Sequence, residues 1–408
     1  MRSWLAIFSL ELKSLVRSKT LAILGLISAI WMLALPYFLQ SDGTISGARE
    51  IYISFSLGGV FAFLTIGLVA SATGSIAGER TAKRLQLTLV RPVYGLTLAL
   101  GKIAAHMVIG ALVLALSGLI LFLKVDTAVS CRHVLSPILP SPMEEAERMY
   151  EAYMQDPQTP LAVKRAKRGA VIRLLANRAK DHYEVIATNS IAHWKFPFAA
   201  GDAAVQMRFT NQYEMRQSVY GEFITDNNRV VISNLTQAVI EVPIGEANGE
   251  LAFANHGNSA VMLRPRQDLK LLVAADGFTP NLLRTLLQLF SVLTLLVSAG
   301  VFLSSGLGRP VALFVAIVLL AVSEMSPSVT EQYPDELETN VIDRAGLMVA
   351  RTISSLSHPI SSADAIGALS RNECVEPREV VRLMMADVVL LPLLFALLSA
   401  ALLPRKTI

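Results

Sequence analysis

Charge is what this sequence is short of: Asp, Glu, Lys and Arg make up 17 % of 408 residues, against about 25 % in an average soluble domain. Apolar residues fill the difference at 53 %, which points to a chain that partitions into a bilayer. The formal net charge is only +4, and its distribution follows the membrane segments, so no nucleic-acid partner is expected. Cysteine is scarce too. Two residues, Cys131 and Cys374, exclude a disulfide-dense scaffold and a Cys-rich metal cluster. The six histidines (His106, His133, His182, His193, His256, His358) are scattered, and none forms the i,i+4 pair of a zinc-protease helix.

Catalytic motifs are missing as well. No G-x-S-x-G occurs, and no Ser–Lys pair stands at an active-site turn. Gly95–Lys102 (GLTLALGK) resembles a phosphate loop only in outline. It has five residues between its glycines instead of four, Ile103 where Ser or Thr is required, and no strand before it. The chain is therefore expected not to be an enzyme and to hold no cofactor or metal of its own.

What the sequence does have is long apolar runs. Leu21–Leu39, Ile51–Ala77, Ile103–Leu123, Leu282–Leu307, Val311–Ser323 and Leu383–Leu403 read as six spans, most of them long enough for about 30 Å of hydrocarbon. Gly58, Gly59, Gly67 and Gly74 make the second run a packing helix. Before the first run, Trp4, Leu5, Phe8, Leu12 and Leu15 recur at helical spacing, as in an amphipathic helix lying in the interface or, on the blander reading, a poorly ordered leader. Glu11 and Lys13 interrupt these apolar residues, and no small-residue cleavage site follows, so the segment is not expected to be a removed signal.

Residues 125–281 differ in kind. A proline-punctuated link (Pro137, Pro140, Pro142) leads to two helical stretches, Met143–Gln155 and Leu161–His182. From about Glu184 the period becomes two: Val205, Met207 and Phe209 alternate with Gln206, Arg208 and Thr210. Turn signals at Asp226–Asn228, Asn248-Gly249 and His256–Asn258 suggest an α+β domain built on a β-sandwich of roughly seven or eight strands. Trp194, Phe196, Phe198 and Tyr213 are either core or sugar-stacking aromatics, and core is the favoured reading.

Orientation follows from the short loops. Residues 1–20, 78–102, 304–309 and the tail hold twelve Lys/Arg against two acids, which predicts both termini on the cytoplasmic side and 125–281 and the acidic 324–381 outside. Cys131 and Cys374 then both fall on the oxidising side, and as the only two cysteines they are expected to pair. Two polar residues lie within spans, His106 and Asp387. Both are read as interfacial, Asp387 about one turn from the outer end of its span, where water or Arg382 serves it.

The chain is organised around residues 78–102, GERTAKRLQLTLVRPVYGLTLALGK. Arg80, Lys83, Arg84, Arg91 and Lys102 face a single acid, Glu79, and the Arg91-Pro92 step breaks any helix. Gly-Glu-Arg, a Leu-rich turn around Leu87, Arg-Pro-Val and a closing Leu-Gly-Lys resemble the cytosolic coupling loop of ABC type-2 permeases, the membrane subunits of bacterial ABC exporters. The order of segments is also similar: amphipathic helix, spans 1–3 within 1–124, spans 4–5 in 282–323, re-entrant helices in 324–381, and a last span with its tail in 382–408. The insertion at 125–281 departs from a minimal permease.

The resemblance implies a permease in the bacterial plasma membrane, dimeric with a second permease copy or homologue. Separate ATPase subunits that carry ATP and Mg would dock on Glu79, Arg80, Lys83, Arg84, Leu87, Arg91 and Pro92. The alternative is a non-transporting anchored receptor or assembly factor whose β-domain binds a partner or glycan.

Overall fold

In the computed structural model, the structure describes residues 2–39, 45–83, 94–125, 130–156, 168–180, 183–197, 202–210, 218–225, 228–236, 239–246, 249–318 and 365–403. The chain divides into a helical unit and a β-rich unit, Ser130–Asp276.

The helical unit begins with α1 (Arg2–Arg17), α2 (Thr20–Phe38), α3 (Ile45–Thr81) and α4 (Gly95–Lys124). Helix α8 (Phe278–Gly306) and the short α9 (Arg309–Val318) follow the β-rich unit. The unit closes with α10 (Ala365–Ser370), α11 (Pro377–Leu383), one π-helical stretch (Met384–Leu390) and α12 (Leu391–Leu402). Among the described residues four helices are long and apolar enough to cross a membrane: Gly47–Thr81, Gly95–Lys124, Phe278–Gly306 and Pro377–Leu402. Helices α1 and α2 form a pair bent by 56° that would supply a fifth. The bend falls at Lys19, whose φ of 60° is left-handed and cannot continue a helix. Residues 311–318 of the expected fifth span form most of α9, while 319–323 and most of the re-entrant segment lie outside the described residues.

Close helix contacts occur where side chains are missing. A Cβ on Gly59 would overlap the Trp31 indole, whose Nε1 donates to the Phe55 carbonyl at 2.9 Å. One on Gly110 would lie 2.7 Å from Leu293 Cδ2, so α3, α4 and α8 meet there at backbone range. After α10 the chain reverses at Asn372 (φ 59°), with Glu373 N–H bonded back to the Ala368 carbonyl at 2.7 Å. Asn281, at the start of α8, holds this turn. Its Nδ2 donates to the Glu373 carbonyl and its Oδ1 accepts from Val375 N–H, both at 2.8 Å.

The β-rich unit has ten described strands rather than seven or eight. One four-stranded sheet runs β1-β10-β4-β7 (Ser130–Leu135, Leu269–Gly277, Asp202–Arg208, Val239–Glu246), and a second runs β3-β8-β5-β6 (Ile191–Lys195, Glu250–Asn255, Ser218–Ile224, Arg229–Leu235). A two-stranded sheet pairs β2 (Glu184–Ile186) with β9 (Val261–Leu263). Val205 and Met207 from the first sheet share one core with Val219, Phe223 and Phe253 from the second. The unit ends at Asp276 rather than at 281, because α8 already begins at Phe278, inside the stretch assigned to the α+β domain.

Strand β1 lies in the link that proline had suggested was irregular. Cys131 is buried in it. Neither Cys131 nor Cys374 is free, and both are disulfide-bonded.

Helix α5 (Pro142–Gln155) starts on a capping box between Ser141 and Glu144. It packs on α6 (Arg168–Lys180) through Ala146, Val171, Ile172 and Leu175.

The one-turn corner before β10, α7 (Pro265–Asp268), is held by Asp268, whose side chain is 1 % exposed. Its carboxylate accepts from Arg208 Nη2 at 2.7 Å and Arg264 Nε at 2.9 Å. Burial alone would raise the Asp268 pKa, but the bonds from Arg264 and Arg208 outweigh it and hold the carboxyl below the ordinary range.

Candidate functional site

Three helices converge where the chain enters and leaves residues 84–93. On α3, Ser71, Ser75 and Glu79 are spaced by four and share one face. On α4, Lys102 and His106 do the same and run antiparallel to them. Helix α1 contributes Glu11, which lies on its apolar stripe between Phe8 and Leu15 and is buried with Leu15. The three meet on one ammonium. Lys102 Nζ donates to Glu11 Oε2 at 2.7 Å, Glu79 Oε1 at 2.8 Å and the Ser75 carbonyl at 3.3 Å. All three ammonium hydrogens are thereby used. Lys102 is 1 % exposed.

His106 continues the network one turn deeper. Its Nδ1 lies 2.8 Å from the Lys102 carbonyl, and its Nε2 lies 3.1 Å from Ser71 Oγ. A carbonyl only accepts, so Nδ1 carries the proton and Nε2 accepts from the serine hydroxyl.

Arg80, next to Glu79, turns to a different neighbour. Its Nη1 and Nη2 donate to the Ser305 and Leu307 carbonyls at 3.2 and 2.7 Å, neutralising the C-terminal end of α8. Ser304 Oγ accepts from Ile76 N–H at 3.0 Å. The Gly-Glu-Arg stretch thus clamps α3 to α1 and α4 on one side and to α8 on the other.

These positions revise the expected site. Lys102 and His106 are buried, because α1 lies across them: Ile7 and Phe8 approach to within 2.8 and 3.4 Å of where a Gly101 Cβ would stand. Glu79 and Arg80 are occupied within the helical unit, while Lys83 is exposed at the left-handed end of α3. Arg84, Leu87, Arg91 and Pro92 lie outside the described residues. Sequence reasoning missed Glu11. Its position on an apolar stripe, four residues after Ile7 and four before Leu15, was the available signal.

Asp387 is also placed differently from expectation. Its helix starts at Pro377, six residues before the expected Leu383, so the carboxylate lies about 15 Å along the helix rather than one turn in. It is fully buried, and neither oxygen has a hydrogen-bond partner among the described residues, Arg382 included. The buried stripe reads Val380, Leu383, Asp387, Pro392, Ala396, Ser399. Its one step of five, from Asp387 to Pro392, coincides with the π turn, in which Leu391 N–H bonds to the Ala386 carbonyl. Proline has no N–H to give residue 388, and the wider turn keeps both sides of the stripe on one face.

Trp194 and Phe196 are 4 % exposed and belong to the β-domain core. Trp194 Nε1 donates to Glu184 Oε2 at 2.8 Å. Phe198 and Tyr213 lie outside the described residues. Among the described residues no three His, Cys, Asp or Glu side chains group as metal ligands. Comparison of the chain with protein-family models, curated proteins and solved structures finds no match.

Proposed function

We propose that the chain is the membrane subunit of an ABC exporter, and that residues 78–102 receive the push of a separate ATPase subunit. One observation carries the reading: both ends of this segment are fastened to the helix bundle through a single buried lysine. A force applied to residues 84–93 cannot be absorbed by fraying at Thr81 or Gly95. It reaches α1 and α3 through Lys102, and α8 through Arg80. A loop that served only as a connector between spans would need no such anchorage.

On this reading six spans cross a bacterial plasma membrane, both termini are cytoplasmic, and residues 125–281 face outward. ATP and Mg are bound by the partner, and a second permease copy or homologue completes the transporter.

Within the segment, ATPase contact is assigned to Lys83, Arg84, Leu87 and Arg91, while Glu79 and Arg80 transmit. The test is affinity purification of the tagged chain from native membranes, with ATP hydrolysis measured in the eluate. Wild type should bring down an ATPase, and Lys83→Ala/Arg84→Ala/Arg91→Ala should lose it while inserting normally. An eluate with no hydrolytic activity, or a triple variant that retains it, would overturn the proposal and favour the anchored receptor.

A further inference from the structure

The β-rich unit carries a preformed cleft of about 500 Å³ at one end of the second sheet, lined by Ser218, Tyr220, His256, Gly257, Asn258 and Ser259. That volume lies within the range of small-ligand sites, about 300–1,000 Å³.

The cleft is built around one buried amide. Asn255 is fully buried at the end of β8. Its Nδ2 lies 3.1 Å from the Ile186 carbonyl, 3.3 Å from that of Ala187 and 3.0 Å from that of Ser259, so its two hydrogens serve three acceptors, one of them shared. Its Oδ1 accepts from Gly257 N–H at 3.0 Å. His256 N–H in turn bonds to the Tyr220 carbonyl at 2.9 Å. A fully satisfied buried amide fixes a loop at little entropic freedom, so residues 256–259 are presented rigidly. A Cβ at Gly257 would stand 3.2 Å from Asn255 Oδ1, and glycine leaves that bond room.

The groups presented define the ligand class. Tyr220 is 49 % exposed on the rim, its ring 6.3 Å from that of His256. Its ring face is open to a ligand in the cleft. Around it stand two hydroxyls, an amide and an imidazole, with Glu222 Oε2 3.7 Å from His256 Nε2. Among the described residues no lysine or arginine lines the cleft, which disfavours phosphate or carboxylate ligands, and none of them groups as a metal-ligand set. An aromatic face beside paired donors and acceptors, with a carboxylate against His256 and no cation among the described lining residues, suits a neutral ring bearing many hydroxyls.

We propose that this cleft binds a neutral carbohydrate, the sugar's C–H face stacked on Tyr220 and its hydroxyls shared by Asn258, His256 and Glu222. The inference is independent of the transport reading.

The test uses the full chain in a detergent without a sugar headgroup, applied to an array of neutral, acidic and phosphorylated oligosaccharides. The best ligand is then titrated calorimetrically. Neutral glycans should bind, and both Tyr220→Ala and Asn258→Ala should weaken the best of them by roughly tenfold, the scale of a lost aromatic or polar contact. Tyr220→Phe should retain most of the affinity. Both positions are exposed, so unchanged thermal unfolding of the variants confirms that folding is intact. No binding to any neutral glycan, a preference for the acidic or phosphorylated forms, or alanine variants that titrate as wild type would each overturn the proposal. Binding of a protein partner at this face, undisturbed by saturating glycan, would do the same.

Discussion

Replacing Lys102 by Met tests whether the junction at the base of residues 84–93 is a mechanical tie. Methionine keeps the length and apolar stem of lysine but removes the ammonium that Glu11 and Glu79 share at 2.7 and 2.8 Å. Two carboxylates would then face each other with no cation, in a place where the lysine itself is 1 % exposed. Breaking a buried ion pair by removing one partner costs about 3–5 kcal/mol. Glu79 is 24 % exposed and can recruit water, so the lower half of that range is expected, and Glu11, at 10 %, bears most of the penalty. Removing only one acid leaves the ammonium with its other partner, and Glu11→Gln or Glu79→Gln should cost about 1–2 kcal/mol.

Thermal unfolding in micelles, read by the loss of the monodisperse peak, should place Lys102→Met on the order of 10 °C below wild type. The compensated variant Glu11→Gln/Lys102→Met/Glu79→Gln should recover most of that loss, because it removes the repelling charges with the cation. A Lys102→Met protein that unfolds with wild type, or a triple variant no better than the single one, would refute the reasoning.

Three further outcomes are expected. Asp268→Asn should destabilise the β-rich unit by about 2–3 kcal/mol, less than a fully buried pair because Arg208 is 41 % exposed; protease sensitivity of residues 183–276 reports it. Because the folded Asp268 pKa is depressed, its contribution is complete above the unfolded value of about 4 and is lost as pH falls through the folded value; the gap between wild type and variant should therefore narrow in acid, and a gap that widened would contradict the assignment. Asp387→Leu should melt at or above the wild-type temperature, since it replaces a buried carboxylate without a partner among the described residues; a clear fall in melting temperature would exclude that account. Alkylation of unreduced protein before digestion should label neither Cys131 nor Cys374, and label on both would show that the bridge does not form.

The sequence by itself determined the division of this protein. Apolar runs of about twenty residues are satisfied as helices, and five of them fall on α2, α3, α4, α8 and the α11–α12 stretch, although α4 begins eight residues before its run and the last helix six before. Alternation at Val205, Met207 and Phe209 likewise required a half-buried strand, and those three side chains are core. These signals are legible because each repeats along the chain with a period set by local geometry.

Tertiary structure alone decided the site. Glu11 and Lys102 are 91 residues apart, and no local periodicity says that a charge on each of two apolar faces will meet the other. In sequence Glu11 only interrupts the N-terminal apolar stripe, and Lys102 only closes the basic loop. Burial of Lys102 is tolerable only because two acids arrive from different helices, and that is a property of the packing. The same holds for Asn255, an ordinary turn residue in sequence, whose four bonds shape the Tyr220 cleft once β2 is brought beside it. Asp387 shows the limit from the other side. The helix start at Pro377 and the π turn before Pro392 moved the carboxylate to the buried face, since a five-residue step appears in the sequence only as a break in the pattern until the neighbouring helix shows which face is covered.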